Sequence, residues 1–438
     1  MYIESLRLTN LRCFRSAEMS FQHPGRTHRG TDPPLPALPN VNLLLGSNGT
    51  GKTTILKGIA LSLIAPIARD AGLRPYNLVR RVYAKQKGRK PDVADIAASV
   101  LLGRHDQPGS ARAKVVRDSL KLRLVREADN DYVVSTPPRG ARWAAMSRDD
   151  SPAFLVLGYG ATRRMAASKE NIAGRAREAH LRYQRVRSLF EDDFSLVPLS
   201  YWLPGYANRG RRTQVIHLLD RLLEGEYRFK GDMEHGEYLF ERDGARVPLP
   251  ALSDGHRAFL AWIGDLLYHV GSAVASGRKL REIEGVVMVD EIDLHLHPRL
   301  QRTIIKTLSE TFPQVQFLFT SHSPLVTGSL EWQNIWVMGG EKPEQLAEEP
   351  IYGLSADQVL QSPYFALEST RPPEVTDALR ALDLKAQRGS TAAAREFMVR
   401  LAHGSEPHVL RAIDEPKSTT PPRGKTTKTR STTKRVRG

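Results

Sequence analysis

A glycine-rich stretch near the N-terminus carries the residue types of a phosphate-binding loop. Gly46, Gly51, Lys52 and Thr53 form the pattern G-x-x-x-x-G-K-T within LLLGSNGTGKTTILKGIA. Glycines let successive N–H groups point at phosphates, the lysine reaches the β- and γ-phosphates, and the threonine hydroxyl holds Mg²⁺. The pattern therefore predicts a site for ATP and Mg²⁺, in which Lys52 is also a candidate catalytic residue. The candidate nucleotide contacts are Gly46, Ser47, Asn48, Gly49, Thr50, Gly51, Lys52, Thr53 and Thr54.

Two adjacent carboxylates follow a short apolar run later in the chain. Four apolar residues, 286–289, end in Asp290 and Glu291. The carboxyl ends of parallel strands form the ligand-binding edge of α/β sheets. We expect Asp290 to hold Mg²⁺ together with Thr53, and Glu291 to polarise the attacking water as a general base. The pair indicates ATP hydrolysis rather than binding alone.

A Leu-Ser-x-Gly turn opens a predicted helix in ALSDGHRAFLAWIGDLL. Ser253 can cap this helix, and Gly255 lies beside the N–H groups exposed in its first turn, so the turn predicts a second anion site. A chain folded around the first site does not usually bring the second onto the same γ-phosphate. We therefore predict that Ser253 and Gly255 close over the nucleotide of a partner subunit in an ATP-dependent homodimer.

The elements around these motifs predict an α/β fold. VVMVDE (286–291) and VQFLFTSHS (315–323) are predicted strands separated by a helix at 299–311, which gives a parallel βαβ unit. Residues 1–21 predict one or two further strands, and Thr53–Ala71 predicts the first helix. The predicted domains are an N-terminal ATPase lobe at 1–160, a helical insertion at 161–240, a C-terminal ATPase lobe at 241–338, a helical extension at 339–415 and a disordered basic tail at 416–438.

Composition narrows the class of protein. The chain has 438 residues, a formal net charge of +16 and one cysteine, Cys13. A single cysteine excludes a disulfide framework and suits a reducing compartment. No run of 18 apolar residues occurs, and the N-terminus lacks the layout of a secretion signal. We expect a soluble, cytoplasmic protein without a membrane partner.

The positive charge is concentrated in a few segments. Residues 417–438 carry eight Lys or Arg and no acidic residue. This tail is either a solvated solubility segment or an arm that tethers nucleic acid. The stretches 74–90 and 161–187 are also rich in Arg and Lys. A basic face on an ATPase points first toward DNA, and the candidate DNA contacts in the folded part are Arg80, Arg81, Arg163 and Arg164.

The order of these motifs resembles the ABC ATPase superfamily. GSNGTGKT, LSDGHR, VVMVDEIDLHLHP and TSHSP follow one another, and IESLRLTNLRCF with DEIDLHLHP is similar to the SMC- and RecF-like branch. The resemblance covers residues 1 to about 335 and implies an ABC-type P-loop core with a mixed sheet, a helical insertion and a small C-terminal helical extension. It further implies that Asn10 and Arg12 lie near the base and phosphates, that Asp293 sits in a loop touching the partner, and that His322 contacts the γ-phosphate as a catalytic residue.

Three positions depart from that family pattern or add to it. Asp254 replaces the first glycine of the usual Ser-Gly-Gly, which leaves the γ-phosphate contact to Ser253 and Gly255. No glutamine can be assigned as the Mg²⁺-sensing loop residue, and GYGATRR (158–164) offers Arg163 in its place. The H-x-H spacing at 295–297 suits a metal, although no third or fourth ligand is evident nearby.

Residues 350–375 resemble a segment of compact bacterial ATPases from anti-phage systems, the Septu type and its retron-linked relatives. Locally, Ser355 and Gln358 also satisfy a capping box, so the segment can simply be a helix start. The resemblance implies a DNA-associated dimer that controls a separate HNH-type nuclease in anti-phage defence or DNA repair.

Two other functions compete with this interpretation. The ATP-binding subunit of an ABC transporter would need a membrane partner, a clear glutamine loop and a standard signature, and the basic tail and DEIDLHLHP argue against it. A self-sufficient nuclease of the overcoming-lysogenization-defect kind would carry a Toprim domain, yet residues 336–438 contain no Asp-x-Asp and are too short for one.

Deleting the basic tail tests its role as a DNA arm. Each phosphate contact releases counterions, so log K falls with log salt at a slope of about −0.9 per contact. We expect removal of residues 417–438 to flatten that slope equally on unrelated duplexes, because phosphate contacts carry no sequence information. Fluorescence anisotropy from low to physiological salt measures both quantities. An unchanged slope would make the tail a solubility device.

Overall fold

The computed structural model describes most of the chain, in two compact units that divide after Ala366. The described residues are 1–27, 34–68, 73, 75, 77–81, 92–103, 106, 115–127, 130–135, 143, 155–165, 181–206, 208–223, 225–274, 278–339 and 342–403. The basic tail predicted at 416–438 lies outside them, as does most of the 74–90 stretch. Among the described helices, none has both the length and the apolar character needed to cross a bilayer.

A five-stranded parallel sheet forms one layer of the first unit, in the order β15-β3-β14-β13-β7. The strands β3, β13 and β14 are buried along their whole length, as expected for a parallel sheet covered on both faces. Their bounds are β3 (Val41–Leu45), β7 (Val156–Tyr159), β13 (Gly285–Val289), β14 (Val315–Ser321) and β15 (Ile335–Val337).

A second five-stranded sheet is antiparallel, in the order β2-β1-β4-β5-β6. Its strands are β1 (Tyr2–Leu11), β2 (Phe14–Ser20), β4 (Val93–Leu102), β5 (Val116–Glu127) and β6 (Asn130–Ser135). Alternate residues of β4 and β5 are buried, and they share a core with α1 (Lys52–Ala68). The helix that follows the phosphate loop therefore contributes to the core under this second sheet.

The remaining helices and strands complete the first unit. The helices are α2 (Leu181–Arg187), α3 (Leu199–Trp202), α4 (Arg209–Leu222), α5 (Asp254–Ala273), α6 (Pro298–Thr311), α7 (Pro324–Thr327) and α8 (Ala356–Gln361). The remaining strands are β8 (Arg164–Met165), β9 (Ser195–Leu196), β10 (Met233–Glu234), β11 (Glu237–Arg242) and β12 (Ala245–Pro248). The second unit contains α9 (Pro373–Gln387) and α10 (Thr391–His403).

The predicted α/β class is confirmed, and so is the parallel unit β13-α6-β14. Parallel and antiparallel strands lie in separate sheets rather than in one mixed sheet. The segment predicted as a helical insertion, 161–240, also contains β8, β9, β10 and the start of β11. The first unit continues past the predicted boundary at residue 338, because Ile351, Val359 and Tyr364 pack in the core of the parallel sheet.

Two buried amides join the N-terminal strands to the parallel sheet. The side chain of Gln316, fully buried in β14, accepts from Ile3 N and donates to the carbonyls of Ile3 and Gln22, each at 2.8 Å. Asn42 in β3 accepts from Gln22 N at 2.7 Å and donates back to Gln22 O at 2.9 Å. Because buried backbone groups need partners, these amides tie the start of β1 and Gln22, just after β2, to the parallel sheet.

Candidate nucleotide-binding site

The loop between β3 and α1 has the backbone of a phosphate cradle. Gly51 has φ +98°, and a Cβ at this position would lie 2.5 Å from Cys13 Sγ. Only glycine combines that conformation with so close an approach of the β1–β2 turn. The Thr50 hydroxyl donates to Ser47 O at 2.9 Å across the loop. This hydrogen bond ties the two sides of the loop together.

The Lys52 ammonium lies inside this loop. Its Nζ donates to Gly46 O at 2.6 Å and to Ser47 O at 3.0 Å. Burial lowers the pKa of Lys52, while the nearby carboxylates of Asp290, Glu291 and Asp293 oppose that shift. A desolvated ammonium among carboxylates is placed to bind phosphate oxygens strongly.

A hydroxyl-carboxylate network joins the loop to the end of β13. Thr53 Oγ1 donates to Asp290 Oδ2 at 2.7 Å, and Thr320 Oγ1 donates to Asp290 Oδ1 at 2.6 Å. The Thr320 hydroxyl in turn accepts from Glu291 N at 2.7 Å. Both oxygens of Asp290 are thus fixed in position. The sequence prediction missed Thr320, whose only sequence signal was its place near the end of an apolar strand.

Arg163 braces the turn that carries the two carboxylates. Its guanidinium donates to the carbonyls of Asp290 and Glu291, and its Nε donates to Gly160 O at 3.2 Å. Glu291 has φ +48°, a left-handed conformation that is unusual outside glycine, and the brace holds it there. Burial lowers the pKa of Arg163 to about 10, against the opposing pull of Asp290, Asp293 and Glu291, so the group is cationic at neutral pH.

This placement corrects two expectations for Arg163. The residue is only 5% exposed, so it is not a DNA-facing contact. Its donors point at backbone carbonyls, so it does not take the place of a Mg²⁺-sensing glutamine either. Arg164 is exposed. Arg80 is half-buried, and its guanidinium donates to Cys13 O beside the phosphate loop.

A cavity of about 300 Å³ brings most of the predicted residues together. It is lined by Arg12, Cys13, Asn48, Gly49, Gly51, Lys52, Thr53, Thr54 and Glu291. The residues fit ATP with Mg²⁺ by their chemistry, since the Lys52 ammonium and a glycine-rich loop suit phosphate oxygens, while the oxygens of Thr53, Asp290 and Glu291 are ligand types that Mg²⁺ prefers. Cys13 was not predicted, although its neighbour Arg12 was. Asn10 is not among the described lining residues, and its carbonyl accepts from Arg80 N at 2.8 Å.

His322 lies at the end of β14, half exposed, with its Nε2 3.8 Å from Asp293 Oδ2. The Asp293 side chain is buried, and its Oδ1 has no hydrogen-bond partner among the described residues. The two side chains stand beside the Asp290 turn, because β13 and β14 are parallel neighbours. Contact between His322 and a γ-phosphate stays a prediction.

A second cavity, of about 340 Å³, contains the predicted signature residues. Its lining comprises Ser253, Gly255, His256, His295, Leu296, His297 and Leu300, and shares no residue with the first cavity. A Cβ on Gly255 would lie 2.2 Å from His295 O, so glycine is required for this packing. Among the described residues, no group of three or more metal-ligating side chains occurs, so the H-x-H pair at 295–297 has no further ligands there.

Comparison with known families and curated proteins places the chain among ATPases. A family model described as "AAA domain, putative AbiEii toxin, Type IV TA system" matches residues 103–327, and one described as "AAA domain" matches residues 5–98. The chain is 24% identical over 377 residues to "Septu protein PtuA" of Bacillus mycoides (strain KBAB4), covering 85% of this chain and 46% of that protein. It is 32% identical over 139 residues to "Retron Ec83 probable ATPase" of Escherichia coli, covering 32% of this chain and 25% of that protein.

The resemblance to Septu and retron ATPases is thereby confirmed, while the chain spans less than half the length of these relatives. Among solved structures, the chain is similar to an SMC head bound to the C-winged helix domain of ScpA, with a TM-score of 0.46 and 15% identity over 80% of this chain and 98% of that one. The SMC head domain from Thermotoga maritima gives a TM-score of 0.40 and 15% identity, over 80% and 100% of the two chains.

Replacing Arg163 by methionine tests the brace on Glu291. We expect Arg163→Met to slow ATP turnover by about 10- to 100-fold, the scale of small misplacements of a reacting group, with little change in nucleotide affinity. Phosphate release and binding of a fluorescent ATP analogue measure the two quantities. The matched control is Arg164→Met, which removes the exposed neighbouring arginine. Equal turnover in Arg163→Met and Arg164→Met would contradict the brace.

Proposed function

Because the chain belongs to the AAA-domain family whose model matches residues 103–327, we propose that it binds ATP with Mg²⁺ beside the phosphate loop and hydrolyses it. The observation that carries this proposal is the 2.7 Å hydrogen bond between Thr53 Oγ1 and Asp290 Oδ2. It joins two predicted Mg²⁺ ligands that are 237 residues apart in the sequence. A hydroxyl and a carboxylate at that distance could enter one octahedral shell together.

In this proposal, the residues around Thr53 and Asp290 have separate roles in phosphate binding, Mg²⁺ binding and proton transfer. Lys52 exchanges its two loop carbonyls for β- and γ-phosphate oxygens, and the loop N–H groups hold the rest of the triphosphate. Thr53 and Asp290 would hold Mg²⁺, which when bound neutralises charge that develops on the phosphates. Glu291 lines the same cavity and accepts the proton of the attacking water as general base.

A head-to-tail homodimer completes the site in this proposal. Ser253 and Gly255 line a cavity separate from the phosphate loop, so they serve a nucleotide other than the one bound to their own loop. In the dimer they close over the γ-phosphate of the partner's ATP, and His322 contacts the γ-phosphate at its own loop. Each ATP then lies between two chains, as in the ABC-type arrangement.

The biological role that we propose is control of a partner nuclease on DNA in anti-phage defence. Its support is the similarity to Septu and retron proteins and the net charge of +16. DNA repair is the second setting in which the same dimer would act. A transporter role is not favoured, since Septu and retron proteins are the curated relatives reported above.

Two substitutions separate binding from hydrolysis. We expect Lys52→Ala to weaken ATP binding, because it removes the cation that holds the phosphates. We expect Glu291→Gln to keep ATP bound while slowing hydrolysis by about 10²-fold or more, the usual scale for losing a general base. Binding of a fluorescent ATP analogue and phosphate release are measured on each variant, with the exposed changes Lys121→Ala and Glu349→Gln as controls. Wild-type turnover in Glu291→Gln would remove this residue from its role.

Mixed dimers test the shared site. A Lys52→Ala chain and a Ser253→Arg chain should each be inactive alone, because each homodimer has two damaged sites. Mixing them should restore part of the activity, since one site of a mixed dimer pairs an intact loop with an intact Ser253. ATP turnover of the mixture is compared with that of each variant. Sedimentation that shows only monomers for Glu291→Gln with ATP would contradict the dimer.

A further inference from the structure

The hydroxyl of Ser253 stands at the end of a chain of side-chain hydrogen bonds. Ser253 Oγ lies 2.7 Å from His256 Nδ1, and His256 Nε2 lies 2.7 Å from Glu226 Oε2. Ser253 is exposed, whereas the side chains of His256 and Glu226 are largely covered. The proposed function assigns no part to His256 or Glu226, although the chain leads directly to the signature serine.

The imidazole of His256 is held from more than one side. The ring of Tyr227 packs edge-on against it, with the ring centroids 4.8 Å apart. Glu226 and Tyr227 precede β10, whereas His256 lies in the first turn of α5. Ser253 caps α5 by accepting from His256 N at 3.5 Å. The loop before β10 therefore fixes the orientation of a ring at the start of the signature helix.

The donors and acceptors of the imidazole determine the direction of its hydrogen bond with Ser253. An ionised Glu226 only accepts hydrogen bonds, so His256 Nε2 carries a proton and donates to it. If Nδ1 is bare, it accepts the Ser253 O–H, and only oxygen lone pairs face an outside anion. If Nδ1 also carries a proton, it donates to Ser253 Oγ, and the hydroxyl proton is free for an outside acceptor. The second arrangement is the one that suits a phosphate oxygen.

The charged groups around the ring are of both signs, since the guanidinium of Arg242 lies over Tyr227, 5.4 Å from its ring centroid. Glu226 balances an imidazolium directly. On the helix itself, Asp254 is paired with Arg257, so that pair adds little net charge. On the other wall of the cavity, His295 and His297 are the titratable side chains. A phosphate oxygen placed among these groups is a hydrogen-bond acceptor, so it matches the arrangement in which Ser253 donates outward.

We propose that His256, held by Glu226, is a positioning residue that turns the Ser253 hydroxyl toward the γ-phosphate of the partner's ATP. The inference rests on the proposed dimer and deepens it, since it names what orients the serine. Chemically, the proton on Nδ1 lets Ser253 donate its own hydrogen outward. Glu226 keeps the ring in the required orientation and balances its charge.

A double-mutant cycle tests this role in full-length Glu291→Gln protein, where ATP stays bound. The dissociation constant of the ATP-dependent dimer is measured by sedimentation velocity for Ser253→Ala, His256→Ala and the double variant. We expect Ser253→Ala to weaken the dimer by about 10²- to 10⁴-fold, because the symmetric dimer loses two hydrogen bonds to a charged group, each worth about 10- to 100-fold. We expect His256→Ala to weaken it by about 10-fold alone and by less than about 2-fold when Ser253 is already alanine.

Three further variants serve as controls for the double-mutant cycle. His256→Asn can still donate from its amide to Ser253 Oγ, so it should lose less dimer affinity than His256→Ala. His217→Ala removes an exposed histidine from α4 and should leave the dimer unchanged. If His256→Ala lowers the melting temperature, Glu226→Ala repeats the cycle without altering the helix, and it should show the same loss of effect in the Ser253→Ala background.

The outcomes separate this inference from the proposed function. Independent effects of Ser253→Ala and His256→Ala, which multiply in the double variant, would mean that the histidine acts only on helix stability and would overturn the positioning role. The dimer would remain supported in that case. No effect of Ser253→Ala on ATP-dependent dimerisation would overturn the proposed contact of Ser253 with the partner's ATP, and this inference with it. Absence of any ATP-dependent dimer in Glu291→Gln protein would instead overturn the proposed dimer.

Discussion

The fixed position of the Asp290 carboxylate is the constraint on which the rest of the site depends. The parallel order β3-β14-β13 places Leu43, Phe319 and Val289 at the same level across three strands. One residue further on, Thr320 and Asp290 meet at the carboxyl edge of the sheet, and Thr53 at the start of α1 reaches the same carboxylate. A loop, a strand end and a helix start thus converge because neighbouring strands share their register.

Buried cations offset the negative charge of the carboxylates at this edge of the sheet. Three carboxylates, those of Asp290, Glu291 and Asp293, influence the buried cations Lys52 and Arg163. The two cations have different tasks, since Lys52 faces the cavity whereas Arg163 binds the backbone behind it. A buried charge is tolerated only with partners, and here the partners are backbone carbonyls and the nearby carboxylates.

The separation of the two cavities bears on the proposed dimerisation. The phosphate loop and the signature turn belong to one compact unit, yet they line different cavities. In the proposed dimer, this separation would make association and nucleotide binding depend on each other, which is the linkage expected of an ATP-controlled switch. Side chains that orient Ser253 would then influence how strongly ATP drives assembly.

The sequence alone determined the α/β class, the phosphate loop and the carboxylate pair, because each depends on consecutive residues with fixed local geometry. The sequence analysis did not predict strand β4, because VADIAASVLL alternates only weakly between apolar and polar residues. Its pairing with β1 and β5 shows which alternate residues are buried. Only the tertiary structure decided that Arg163 is buried, that Thr320 holds Asp290 and that Glu226 supports His256. These contacts join residues 30 to 128 positions apart, and no local pattern specifies which distant partner a side chain will meet.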